Sequence, residues 1–310
     1  MKNLKICDAH CDTASEAMDK GYALFDNPLM LDIKRMKEYK SYIQFFAAFI
    51  DPEYYNSPHE RCESIIKYIP EQCDKYNNDI RLCRSYSDME RTLADNKCGA
   101  FISVEGGECI KSADDIDILY SMGVRMITLT WNNDNALGGG ALGDGRGLSA
   151  FGKEIVRKMN KIGMIVDVSH ASEKMFYDIL STTDKPVCAS HSNAYSICPH
   201  PRNLKDEQIK ELISINGVMG MNFYPVFLKD SGKCTADDIL RHIDYLLSMG
   251  CENNIGIGSD FDGVESLPDG ISGVSDMAKI FDKIKESGID DKISEKIAYK
   301  NMARLIRICL

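Results

Sequence analysis

Eight short runs of apolar, mostly β-branched residues recur along the chain, and segments with helical periodicity lie between them. The runs are "LKICDAH" (4–10), "IQFFAAFI" (43–50), "GAFISVEG" (99–106), "VRMITLT" (124–130), "MIVDVSH" (164–170), "PVCASHS" (186–192), "GVMGMNF" (217–223) and "IGIGSDF" (255–261). They are nearly continuous in apolar residues rather than alternating, the pattern of strands covered on both faces and hence of a parallel sheet. The helical segments include "HERCESIIKYIPEQCDKY", in which Pro70 is expected to kink or split the helix, and the closing "KISEKIAYKNMARLIRI". Three others carry start and stop signals: Ser112 with Asp115 to Gly123, Ser149 to Gly163, and Thr235 to Gly250. About eight strand–helix units predict one (β/α)8 TIM-like barrel domain over residues 1–310, with a doubly wound open sheet as the alternative.

Composition narrows the partners. A net charge of −10 argues against a nucleic-acid backbone and against an electrostatic grip on anionic lipid. No run reaches the length of a membrane span, and no signal-peptide h-region precedes Asp8. The twelve cysteines include no Cys-x-x-Cys pair. They read as reduced thiols packed as small hydrophobes in a cytoplasmic protein, Cys7 and Cys11 among them.

Gly138, Gly140 and Gly143 fit G-x-G-x-x-G, but the strand before them ends near Thr130 and the next helix opens near Ser149. A dinucleotide fingerprint needs its glycines in the strand-to-helix turn itself. The stretch 135–149 is therefore expected to be a mobile or tightly turned loop at the barrel mouth.

The ends of the predicted strands carry groups that an apolar strand has no packing reason to hold. His10 and Asp12 follow the first, two positions apart and so on one face of an extended segment. Glu105, His170, His191 and Asp260 end four others, in a chain with only six histidines. Catalytic residues of a (β/α)8 barrel come from these ends, which favours the barrel over the open sheet. Imidazole and carboxylate without thiolate suit Zn²⁺, with Mn²⁺, Co²⁺ and Fe²⁺ as competitors. The set exceeds the needs of one tetrahedral ion. Two ions about 3.5–4 Å apart fit better, with Glu105 as the bridge.

The motifs "DAHCDT", "VEGGE", "TLTWNN", "DVSHAS", "SHSNAYSICPHPRNL" and "GIGSDFDG" resemble the membrane (renal) dipeptidase family, peptidase family M19, from residue 8 to about 264. The resemblance implies a binuclear zinc barrel that hydrolyses dipeptides. His10 and Asp12 would hold one zinc, His170 and His191 the other, and Glu105 would bridge them. Arg202 would hold the substrate carboxylate, and Asp260 would serve as general base and then acid toward a metal-activated hydroxide. Trp131 stands where well-studied members have a substrate-binding histidine, so it is expected to shape the substrate pocket or offer its indole N–H as a donor, and not to act as a base. The chain would be a bacterial-type cytosolic member, with a dipeptide as its partner and a homodimer left open. Two alternatives stand beside this: a metal-dependent amidohydrolase acting on N-acyl amino acids or cyclic amides, and a non-catalytic barrel that binds peptide or metal.

Overall fold

The structure is a computed structural model and describes residues 2–310. Nine strands form: β1 (Lys2–Cys11), β2 (Tyr39–Phe49), β3 (Ile80–Leu82), β4 (Cys98–Glu105), β5 (Val124–Thr128), β6 (Ile165–Asp167), β7 (Cys188–Ala189), β8 (Val218–Met221) and β9 (Ile255–Ile257). Every pairing is parallel, and β2 pairs with both β1 and β4, which closes eight of the strands into a barrel. The ninth, β3, is absent from the sequence pattern. It is three residues long and only flanks the start of β4, through Ile80 opposite Cys98. Each of the eight predicted runs overlaps one barrel strand. The helices between them make the structure a (β/α)8 barrel.

The lower barrel interior is apolar. Cys7, Phe45, Phe101, Met126, Ile165, Cys188 and Val218 form one buried cluster, in which the Phe45 and Phe101 rings stack with centroids 4.8 Å apart. The last helix, Asn301–Cys309, adds Met302, Leu305 and Ile306 to this cluster. Its polar side chains bond to the starts of the strands: Arg304 donates to the Asn216 and Asn253 carbonyls, and Asn301 to that of Ile255. This helix therefore plugs the N-terminal end of the barrel, which leaves the C-terminal end as the open one.

Two helix expectations are narrowed. The helix Pro58–Lys75 is not split at Pro70 but continues through it. A proline inside a helix costs about 3 kcal/mol. The helix buries Ile65, Ile66, Ile69 and Cys73, and at about 1.5–3 kcal/mol for each large aliphatic side chain that burial outweighs the cost. The Ser112–Asp115 box forms only by half. Asp115 accepts the Lys111 and Ser112 amides, but the Ser112 hydroxyl turns to the same carboxylate instead of capping. At Ser149 and Thr235 the caps form as expected, with Ser149 accepting from the Gly152 amide and Thr235 from that of Asp237.

The stretch 135–149 holds no helix or strand and is tightly turned. It packs on the loop after β6, where Ser172 N–H donates to the Gly139 carbonyl. A Cβ at Gly139 or Gly140 would collide with the carbonyls of Arg146 or Asn132. No described helix is long and apolar enough to cross a membrane.

Candidate metal centre

The chain leaves β1 through an irregularity between Asp8 and Cys11. The buried Asp8 carboxylate accepts the His10 amide at 3.2 Å and both the amide and the hydroxyl of Ser259, at 3.0 and 2.5 Å. One carboxylate thus ties the end of β1 to the turn after β9, and so His10 to Asp260. Asp12 lies just past the strand, at the N-cap of the helix Thr13–Asp19, yet its side chain caps nothing. It turns inward instead: Oδ2 lies 3.2 Å from His10 Nε2, while Oδ1 is buried without a partner.

Glu105 is the last residue of β4, and its two oxygens point to opposite sides of the site. Oε1 is 2.9 Å from His170 Nε2 and 3.4 Å from His191 Nε2, and Oε2 is 3.4 Å from His10 Nε2. His170 and Asp260 each lie three residues beyond their strands, in the left-handed backbone region at φ 64° and 62°. A non-glycine residue adopts this conformation only where the surroundings hold it there. Here the turn swings both side chains over the barrel mouth. Asp260 Oδ1 comes within 3.6 Å of His10 Nε2, and Oδ2 accepts from Asn222 Nδ2 at 2.8 Å.

The donor atoms form three overlapping groups: His10 with Asp12 and Glu105, Glu105 with His170 and His191, and His10 with His191 and Asp260. All six residues are at most 7% exposed. The structure thus brings together every residue that the sequence places at a strand end for metal binding.

Arg202 and Trp131 lie on the wall of the same cavity, whose volume is about 510 Å³. Arg202 is buried, donates to the His191 carbonyl at 3.3 Å, and leaves Nε without a partner. Its guanidinium sits 5.6 Å from the centre of the Phe227 ring. The Trp131 ring lies 5.5 Å from that of Phe49 and 6.0 Å from that of His170.

Burial works against charge throughout this site, and the exceptions are informative. Burial, reinforced by Arg202, pulls the His170 pKa down to about 3, and burial followed by His10 holds that of His191 well below its usual range. Both shifts favour the neutral ring. Burial also opposes the charged form of His10, but the Glu105 and Asp12 carboxylates outweigh it and hold the pKa well above the ordinary value. Burial and then Glu105 push Asp12 up to about 7. Arg202, lowered to about 10 by burial, stays cationic at neutral pH.

The hydrogen bonds show what the site is made to hold. His170 Nδ1 lies 2.8 Å from Asn132 Oδ1, an atom that can only accept, and His191 Nδ1 lies 2.8 Å from Ser190 Oγ. His170 Nδ1 therefore donates and leaves a lone pair on its Nε2, while Ser190 Oγ can donate or accept toward His191; the Nε2 atoms of the two rings are the ones turned into the site. These face each other at 2.7 Å beside Glu105 Oε1. Ring nitrogens and a carboxylate packed this closely suit a cation between them, and the unpartnered Asp12 oxygen beside His10 suits one on the other side. The residues fit a divalent metal. Sequence patterning does not single out Asn132, Ser190 or Asn222, whose side chains lie within hydrogen-bond distance of His170, His191 and Asp260. The available signal was polar residues flanking strand ends, as in "TWNN", "ASHS" and "MNF".

Comparison with known proteins agrees with this chemistry. The family model described as membrane dipeptidase (peptidase family M19) matches residues 1–309. An uncharacterized dipeptidase of Schizosaccharomyces pombe is 35% identical over 92% of this chain and 75% of its own length. An uncharacterized protein from the pqqA 5′ region of Klebsiella pneumoniae is 35% identical over 74% of this chain and 88% of its own. A metallo peptidase from Rhodobacter sphaeroides, solved with a phosphinate mimic of the dipeptide L-Ala-D-Ala, shares the fold over 100% of both chains, with a TM-score of 0.91 and 23% identity. The chain belongs to the membrane dipeptidase family, peptidase family M19, and is a metal-dependent dipeptidase.

Proposed function

We propose that this dipeptidase works with two zinc ions: His10 and Asp12 would hold one, His170 and His191 the other, and Glu105 would serve both. The observation that carries the reading is the pair of imidazoles whose Nε2 atoms face each other at 2.7 Å beside a carboxylate. Bound there, such ions activate water at neutral pH and polarise the scissile carbonyl.

The chain's own residues supply the rest. Asp260 offers Oδ1 to the site while Asn222 holds Oδ2. It takes the proton of the attacking water at Oδ1 and passes it to the leaving amine. Arg202, buried with a free Nε, binds the substrate's C-terminal carboxylate through its planar fork. That cation on the cavity wall favours a carboxylate one residue from the scissile bond, which suits a dipeptide rather than a longer chain. Trp131 and Phe49 form the apolar wall beside His170. The unit is the whole barrel, residues 1–310. Twelve buried thiols with no disulfide among them support a reducing, cytoplasmic setting.

The test is hydrolysis of a dipeptide panel by zinc-loaded and by chelated protein, with N-acyl amino acids and dipeptide amides alongside. Zinc-dependent cleavage of dipeptides alone is expected. Cleavage of N-acyl amino acids at equal rates would favour the amidohydrolase alternative.

A further inference from the structure

Asp167 ends β6 inside an apolar run, is 1% exposed, and bonds only to hydroxyls and backbone amides. We propose that Asp167, acting through Ser190, decides which ring nitrogen of His191 carries the proton and so makes Nε2 the nitrogen free to bind metal. The inference rests on His191 being a metal ligand. Asp167 is a positioning residue, since it touches neither the donor atoms nor the cavity.

The bonds around Asp167 leave one arrangement of protons. Oδ1 accepts two backbone amides, Ser169 N–H at 3.0 Å and Ser190 N–H at 2.9 Å. Oδ2 accepts the Thr128 hydroxyl at 2.6 Å and the Ser190 hydroxyl at 2.5 Å. A carboxylate has no proton to give, so the Ser190 proton is committed to Oδ2. Ser190 Oγ then shows only lone pairs to His191 Nδ1, 2.8 Å away. Nδ1 must be the protonated nitrogen, and Nε2 is left as the ligand. A metal-binding histidine commonly gives its second N–H to a carboxylate or carbonyl. Here a serine hydroxyl relays the preference of a carboxylate on the neighbouring strand.

Replacing Asp167 by asparagine should reverse the relay rather than merely weaken it. The two backbone donors hold the amide oxygen in the place of Oδ1, so the NH₂ group must face Ser190 Oγ. The Ser190 hydroxyl then accepts from the amide and turns its own proton to His191 Nδ1, which puts the ring proton on Nε2. Ser190→Ala removes the relay without reversing it.

Zinc affinity is measured by competition with a chelator. Loss of a metal ligand's hydrogen-bonded support typically costs 10–100-fold in affinity. Asp167→Asn is expected near the upper end, about 100-fold, and Ser190→Ala near the lower, about tenfold. The double variant is expected to recover to the level of Ser190→Ala, a rescue that a purely structural role for Asp167 cannot give. An Asp167→Asn variant that binds zinc like the wild type, or a double variant no better than Asp167→Asn, overturns the proposal. A readout independent of variant folding is ¹⁵N NMR of the imidazoles in chelated wild-type protein. His191 is expected to carry its proton on Nδ1, and a proton on Nε2 overturns the proposal. Wild-type protein that takes up no zinc would instead overturn the reading of the metal centre on which the inference rests.

Discussion

The Nε2 atoms of His170 and His191 face each other at 2.7 Å, and each ring has already committed its other nitrogen, to Asn132 and to Ser190. With the His191 proton on Nδ1, two lone pairs at this distance repel unless a cation lies between them, so the fold holds these side chains in a geometry that metal binding relieves. Purified protein incubated with zinc is expected to take up two equivalents per chain. Glu105→Gln is expected to lose most of both, because a neutral amide cannot offer an anionic oxygen to each side. Elemental analysis of the two proteins side by side checks this. Full occupancy in the variant would mean that Glu105 is not the bridge.

Gly263 packs against the same centre. A Cβ at this position would lie against Asp12 Oδ2 and 2.6 Å from Asp260 Oδ1. One methyl group there pushes two functional carboxylates off position while leaving the apolar barrel untouched. Gly263→Ala is expected to fold normally by circular dichroism and to lose both zinc content and at least tenfold in turnover, in line with the cost of disturbing ligand orientation. Wild-type zinc content and turnover together would show that the loop shifts freely.

Arg202→Ala removes a buried cation from the cavity wall; the other buried arginine there, Arg61, is already paired with Asp19. Truncating one partner of a desolvated charge pair typically costs about 2–5 kcal/mol, so kcat/KM for a dipeptide should fall by more than tenfold. The wild type should already cleave a dipeptide amide poorly, and the mutation should matter little for that substrate. Equal losses on both substrates would place the arginine's role elsewhere.

What the sequence made legible follows the physics of each element. The eight barrel strands are covered on both faces, and that burial leaves an apolar run that can be read without a structure. Strand β3 is only "IRL" at the edge of β4, too short and too mixed to leave such a mark. The metal-ligand candidates were legible because carboxylates and imidazoles at apolar strand ends have no packing purpose. The left-handed turns that aim His170 and Asp260 were not, because neither is a glycine and the conformation is imposed by the surrounding structure. Asp8 and Asp167 had a signal, a carboxylate inside an apolar run, but their partners Ser259 and Ser190 come from neighbouring strands, and only the barrel brings them together. Pro70 shows the opposite case, a local break overridden by the apolar face of its helix.

Asp260 separates a proton-transfer role from a ligand role. Asn222 Nδ2 donates to its Oδ2, which leaves Oδ1 toward the site. Asp260→Asn keeps the shape of the side chain and removes the proton acceptor. Acid–base groups contribute typically 10²–10⁴-fold, so kcat should drop by about that much, with KM changed little and zinc content kept. Metal content and turnover measured on one preparation decide the matter. Loss of zinc would make Asp260 a ligand, and near-normal turnover with full zinc would assign the proton to another group.

His242 lies outside the metal centre and links the fold to pH. It sits fully buried on the helix Ala236–Ser248; its Nδ1 accepts the Ala194 amide at 3.1 Å, and its Nε2–H donates to the Leu228 carbonyl at 3.1 Å. Ala194 belongs to the loop that also carries Arg202. Both bonds require the neutral ring, and burial lowers the pKa to about 4. The unfolded chain's histidine titrates near 6.5, so between about pH 6.5 and 4 the unfolded state binds a proton that the native state refuses. The stability from neutral His242 is therefore fully present above pH 6.5, falls as pH drops through this window, and is gone below about 4. Each tenfold difference in proton affinity between the two states is worth about 1.36 kcal/mol, so the loss amounts to about 3 kcal/mol. His242→Gln keeps one acceptor and one donor but cannot titrate. In urea unfolding at pH 7 and pH 4.5, the wild type is expected to lose about 2–3 kcal/mol more than the variant across that range. Parallel losses in the two proteins would mean that His242 is protonated in the native state and that its bond to the Ala194 amide does not hold the loop.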